Sequence, residues 1–136
     1  MMKINKNMEW CRPFLNSAKD LIDFEQIAHV RGYIVPFNKI PRQEASITKL
    51  KNGKFIIAIR LNRAKGDRKT HYSRIFLPDV LDSIAHELSH ATNWEHDASH
   101  MKLQYRIMQR FSNVVQKIQD KENVGDYYNL KYWRIK

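Results

Sequence analysis

Asn52-Gly53 restricts this chain more than any other feature. It sits between two apolar runs, residues 45–50 and 55–61, and Asn-Gly readily takes the positive φ values of a two-residue hairpin turn. The two runs are therefore expected to pair as antiparallel strands. Phe55, Ile57, Ile59 and Leu61 alternate with Ile56, Ala58 and Arg60, so both faces of the second strand should be at least partly buried. That is the pattern of a strand with a helix packed on one side.

Helical patterns surround the hairpin. Residues 17–30 read as a first helix, with Ala18, Leu21, Ile22, Ile27 and Ala28 at helical spacing, a cap at Asn16 or Ser17, and Gly32 to end it. Tyr33-Ile34-Val35 then reads as a short strand stopped by Pro36. A second helix is expected from Pro78, with Asp79 favourable to its dipole and Val80, Leu81, Ile84, Ala85, Leu88 and Ala91 as its buried stripe. The pattern breaks at Asn93. A third helix follows from about Ser99, capped by Asp97, with Met101, Tyr105, Met108, Phe111, Val115 and Ile118 on one face. The aromatic tail, residues 127–135, is expected to pack back on the domain, as a strand for example. Together these elements predict a single α+β domain over residues 1–136, a small antiparallel or mixed sheet packed on a central helix with flanking helices.

The second helix carries the chemistry. His86 and His90 lie four residues apart, which puts both imidazoles on one face, one turn apart, close enough to share a tetrahedral Zn2+ ion. Glu87 sits beside them, able to take a proton from a water activated at the metal without being a ligand. Apolar Ile84, Leu88 and Ala91 lie away from the stripe of Ser83, His86, Glu87 and His90, so one helix face can serve the sheet and the other the metal.

A catalytic zinc takes three protein ligands and keeps one position open. His96 is the expected third ligand, because a helix ending near Asn93 can turn the chain back, and Asn tolerates the left-handed conformation such a turn needs. His100 competes for the role, with an alternative reading as a first-turn residue of the third helix. Glu95 is a weaker candidate, and His29 and His71 are read as unrelated to the site. Tyr105, Arg106, Tyr127 and Tyr128 are not assigned to oxyanion stabilisation, their reading as core or surface being stronger.

These residues bear a likeness to known families. The segment from Leu81 to Ala91, containing His86-Glu87-Leu88-Ser89-His90 and followed by His96-Asp97, resembles the SprT-like and WLM metalloproteases. The likeness covers about residues 55–111 and is specific in its HExxH…HD core. It implies a minimal zincin-like fold, ligands His86, His90 and His96, Glu87 as base, and proteolysis near DNA. The spacing through Asn93 to His96 is also similar to the metzincin signature, although no Met-turn stands well downstream. Those relatives usually carry an aromatic where His100 stands.

Charge bears on the target. Lys and Arg total 24 against 14 acidic residues, a net charge of +10, which attracts polyanions such as nucleic acid. A basic loop over residues 62–74 holds Arg63, Lys65, Arg68, Lys69 and Arg74, candidate nucleic-acid contacts that suit a solvated surface equally well. Cys11 is the single cysteine, so neither an intrachain disulfide nor a cysteine zinc cluster can form. The first ten residues lack a signal-peptide apolar run, and no stretch is long enough to span a bilayer. Cytoplasmic location follows as the default.

Three functions fit this reading: a zinc endopeptidase acting on protein or peptide associated with DNA, a zinc peptidase with a cell-wall or single regulatory target, and a non-enzymatic basic nucleic-acid-binding protein with a structural zinc. Glu87 argues against the third.

Overall fold

The computed structural model describes residues 2–35, 45–62, 74–122 and 127–129. Among them the chain is α+β, a four-stranded mixed sheet with three α-helices and a separate two-stranded ribbon. The sheet holds β1 (Lys3–Ile4), β2 (Ile27–Val35), β3 (Ala45–Lys49) and β4 (Phe55–Asn62) in the order β1-β2-β4-β3. β1 and β4 run parallel to β2, and β3 runs antiparallel to β4 along one edge.

The β3–β4 hairpin forms where the Asn-Gly turn predicts it. Gly53 has φ +85°, and the Asn52 side chain accepts a hydrogen bond from the Lys54 amide at 3.0 Å. Phe55, Ile57 and Ile59 are buried while Ile56 and Ala58 on the opposite face are half-buried, so a single face of β4 carries the core. Asn5 extends the pairing of β1 without adding to the strand. Its side-chain amide accepts from the Gly32 amide at 2.8 Å and donates to the Gly32 carbonyl at 3.0 Å.

The expected helix over residues 17–30 is not there. The helix α1 spans Arg12–Ser17, with a proline in its first turn, and ends on the residue where that segment begins. A turn follows, then a 3-10 turn at Phe24–Gln26 in which the Asp23 side chain accepts from the Glu25 amide at 3.1 Å. β2 starts at Ile27. A register shift between Ile27 and His29 accounts for the C-terminal part of the false helical signal, because Ile27 aligns with Phe55 and Val30 with Ile57. That bulge turns two apolar residues three apart to the same face of a strand, which imitates a helical period. His29 is accordingly a strand residue, not a helix-end one, and its Nδ1 accepts from Arg31 Nε at 2.9 Å.

Two long helices complete the layers, α2 packed on β3 and β4 and α3 packed on α2 and α1. α2 spans Leu77–Thr92 and buries Val80, Leu81, Ile84, Ala85 and Leu88, the stripe expected of it, with Ala91 half-buried. α3 spans Ala98–Glu122 and starts where the Asp97 cap places it, the Asp97 carboxylate accepting from the His100 amide at 2.9 Å. Its inner face differs from the expected one. Ile107 and Phe111 are fully buried, whereas Met101 and Tyr105 are 67% and 65% exposed. The inward positions of its first turns are taken by His100 and by Gln104, which reaches α2. Polar residues occupy that inner face at the site, so apolar spacing along α3 misplaces it by part of a turn.

The core joins these layers. Phe14 of α1 meets Phe111 of α3 edge-on at 5.6 Å, and Trp10 meets Phe14 edge-on at 6.1 Å. Burying aromatic rings in this arrangement contributes specific geometry beyond area alone. Cys11 lies fully buried beside them, and desolvation pushes its thiol up to about 12, which disfavours the thiolate form. The ribbon pairs β5 (Arg74–Phe76) with β6 (Tyr127–Asn129) antiparallel, so the start of the aromatic tail is a strand. Among the described residues no helix is long and apolar enough to cross a membrane.

Candidate metal centre

Ring nitrogens converge at the C-terminal half of α2. His86 Nε2 lies 3.2 Å from His90 Nε2, His96 Nε2 lies 3.1 Å from the first and 2.9 Å from the second. Zinc–imidazole bonds of 2.0–2.1 Å in tetrahedral array separate their nitrogens by about 3.3 Å. The observed triangle is slightly tighter than that and of the same shape. An N–H points in the plane of its ring at one acceptor, so hydrogen bonds cannot satisfy all three edges at once. A cation at the centre would satisfy all three.

Local structure explains the convergence. His86 and His90 are stacked one turn apart on α2, their rings edge-on at 4.7 Å. α2 stops at Thr92, with the Asn93 amide bonded to the Ser89 carbonyl at 2.7 Å, and the chain then turns back through residues 93–97. This returns His96 to the face it left, its ring stacked on His86 at 5.0 Å.

A second triad shares two of these residues. His86, His90 and His100 each offer a ring nitrogen, all within 4.8 Å of one another, close enough to hold a metal ion. The two triads differ in what the third histidine has left to give. His100 is buried at 1% exposure, and its Nε2 lies 3.1 Å from the His86 carbonyl oxygen, which can only accept. That nitrogen therefore carries the proton, which leaves Nδ1 as the ring atom His100 could offer a metal. Burial also holds His100 below the ordinary histidine pKa, in the neutral form. His96 is exposed and aims Nε2 straight at the other two. The tighter, outward-opening triangle is the one with His96, and His100 packs behind it against His90, ring centroids 4.2 Å apart.

The triad opens on a cleft of about 490 Å³. One wall is α2, contributing Asp82, Ser83, His86, Glu87 and His90, and the other is the edge strand β3 with Ala45, Ser46 and Ile47, while His96 completes the lining. Glu87 is only 7% exposed yet lines this cleft. Burial raises its carboxyl above the ordinary range, against the opposing pull of His86 and His96. Beyond the helix end Trp94 stacks on Phe55 at 5.7 Å and lies 6.1 Å from His90, so an aromatic pair closes one side of the site.

No family model, curated protein or solved structure matches this chain.

The expected site residues His86, Glu87, His90 and His96 are brought together on one cleft. Glu95 is exposed, and His29 lies on β2 paired with Arg31, outside the cleft. Arg63, Lys65, Arg68, Lys69 and His71 lie outside the described residues; Arg74 begins β5. Two polar residues of the site, Asp82 and Gln104, are absent from the residues expected from sequence. The Gln104 amide oxygen lies 2.9 Å from His86 Nδ1, and its amide nitrogen donates to Asp82 Oδ1 at 3.3 Å. Asp82 stands one turn before His86, which a helical wheel could have flagged; Gln104 comes from another helix.

Proposed function

We propose that this chain is a zinc-dependent endopeptidase of the minimal zincin type, with His86, His90 and His96 as ligands and Glu87 as general base. The observation that carries the reading is the triangle of ring nitrogens at 2.9–3.2 Å with a buried carboxylate on the same cleft. Three neutral imidazoles are the donor set of an open, catalytic zinc site, and the cleft leaves room for a fourth, exchangeable position. The likeness of residues 81–97 to the SprT-like and WLM metalloproteases points the same way.

When bound, zinc supplies a Lewis acid that polarises a carbonyl and makes water acidic near neutral pH. The protein's own residues do the rest. Glu87 accepts the proton as the water oxygen bonds to the carbonyl carbon. It returns that proton to the amide nitrogen as the carbon–nitrogen bond breaks, releasing an amine and a carboxylic acid that then loses the second water proton to solvent. β3 is a sheet edge, and among the described residues no strand lies beyond it. Its free backbone groups offer ladder pairing to an extended peptide laid along the cleft, which suits chain-internal cleavage.

The net charge of +10 supports substrates held near nucleic acid, and a cell-wall or single regulatory protein is the other target class. Salt-dependent DNA binding separates the two, since each phosphate contact steepens the salt dependence. A second reading, a closed structural metal site, draws on the buried His100 in the second triad. One experiment addresses activity directly: mass spectrometry of unfolded protein substrates after incubation with the zinc-loaded wild type and with Glu87→Gln. Internal cleavage by the wild type alone is expected. No cleavage by a fully zinc-loaded wild type on any unfolded substrate would overturn the endopeptidase reading in favour of the structural one.

A further inference from the structure

We infer that Gln104, held by Asp82, is a positioning residue that fixes the proton of His86 on Nδ1 and so leaves Nε2 bare for the metal. The inference rests on the metal reading above but has its own observable.

The assignment follows from what each group can and cannot do. An ionised carboxylate only accepts, so the Gln104 nitrogen, not its oxygen, must face Asp82 Oδ1, which lies 3.3 Å away. The Gln104 oxygen then necessarily faces His86 Nδ1 at 2.9 Å. An amide oxygen also only accepts, so Nδ1 must be the protonated nitrogen of His86. Its Nε2 is left with a lone pair, at the vertex of the triangle with His90 and His96. The direction of each bond is thus dictated from the acidic end of the chain Asp82–Gln104–His86.

His86 is the ligand that needs this most. Its backbone carbonyl is already engaged by His100 Nε2 at 3.1 Å, so α3 grips both the main chain and the side chain of the same residue. His90 receives no such help: its Nδ1 is buried with no hydrogen-bond partner among the described residues. The orientation of the nitrogen triangle therefore depends on one ligand whose tautomer is set from a neighbouring helix. Orienting partners of metal-bound histidines typically change metal affinity by about 10–100-fold when removed.

Two measurements test this. In metal-free wild-type protein, long-range nitrogen–proton NMR correlations of the His86 ring, taken at a pH where the ring is neutral, should show the Nδ1–H tautomer. Zinc affinity, measured by competition with a chromophoric chelator, should fall by about 10–100-fold in Gln104→Leu, which keeps the side-chain size but cannot accept. Exchanging the pair, Asp82→Asn with Gln104→Glu, still presents an acceptor to Nδ1–H and a donor to that acceptor. It should restore the affinity. A His86 proton found on Nε2 in the wild type overturns the inference, and this readout needs no variant to fold. So does a folded Gln104→Leu protein whose zinc affinity stays within twofold of wild type. A wild type that binds no zinc would remove the peptidase reading instead, while the tautomer would still decide the role of Gln104.

Discussion

His100 donates its Nε2 proton to the carbonyl oxygen of His86 at 3.1 Å, whereas its rival for the third ligand position, His96, turns Nε2 toward His86 and His90. Their substitution should have opposite consequences. His96→Ala removes an exposed ring and should change the stability of metal-free protein by no more than about 0.5 kcal/mol. Its zinc affinity should fall by more than the roughly 10–100-fold that losing an orienting partner costs. His100→Ala empties a buried position and removes its hydrogen bond, which should cost about 1–3 kcal/mol while zinc still binds. Urea unfolding and chelator competition on both variants check this. Loss of zinc in His100→Ala with retention in His96→Ala would transfer the third ligand to His100.

Glu87→Gln keeps the shape of the side chain in the cleft but cannot accept a proton. Cleavage should fall by about 10²–10⁴-fold, the usual contribution of a positioned base. Zinc content, read by elemental analysis, should match wild type. Wild-type rates in a zinc-loaded variant would remove Glu87 from the mechanism.

Gly53 adopts φ +85°, and a methyl group built there meets nothing within 4 Å. The penalty of Gly53→Ala is therefore one of backbone conformation alone, about 1–2 kcal/mol. Chemical denaturation should report that loss with the zinc affinity unchanged, because the turn lies at the far end of the hairpin from the cleft-lining residues of β3. An unchanged midpoint would mean that the turn is not formed with positive φ.

Arg110 clasps Asp20 with two parallel bonds, Nη1 to Oδ1 at 2.6 Å and Nη2 to Oδ2 at 3.0 Å, tying α3 to the turn after α1. The hydrogen bond from Arg110 holds the Asp20 carboxyl below the ordinary range. A depressed folded-state pKa means the stabilisation is complete above the unfolded value of about 3.9 and is lost as pH falls through the folded value. Asp20→Asn should therefore melt slightly below wild type at neutral pH, and the gap should close on acidification. High salt should narrow it as well, since both groups are open to solvent. A gap that persists in strong acid would assign the effect to something other than the ion pair.

Local chemistry was what the sequence could express. The hairpin is legible because Asn52-Gly53 dictates its own turn, and the juxtaposition of His86 and His90 because they are spaced by one turn of α2. The return of His96 toward His86 and His90 is legible through the helix stop at Asn93, and the start of α3 through Asp97. What failed depended on distant partners. Ile27 and Val30 share a face only because of a bulge against β4, and nothing in residues 17–30 announces it. Met101 and Tyr105 point outward because His100 and Gln104 turn inward to meet α2, an exchange invisible until the two helices are packed. The bond between Gln104 and His86 belongs to that same packing.

The three converging nitrogens all come from residues 86–96, whereas the facing wall of the cleft comes from β3, far upstream in the chain. Closing a short loop costs little chain entropy, and closing a long one costs more. The nitrogen triangle can thus assemble early, from neighbours in sequence, while the cleft must wait for the hairpin to dock on β2 and on α2. The histidine cluster is the part of the site that leans least on long-range pairing, and the cleft wall the part that leans on it most.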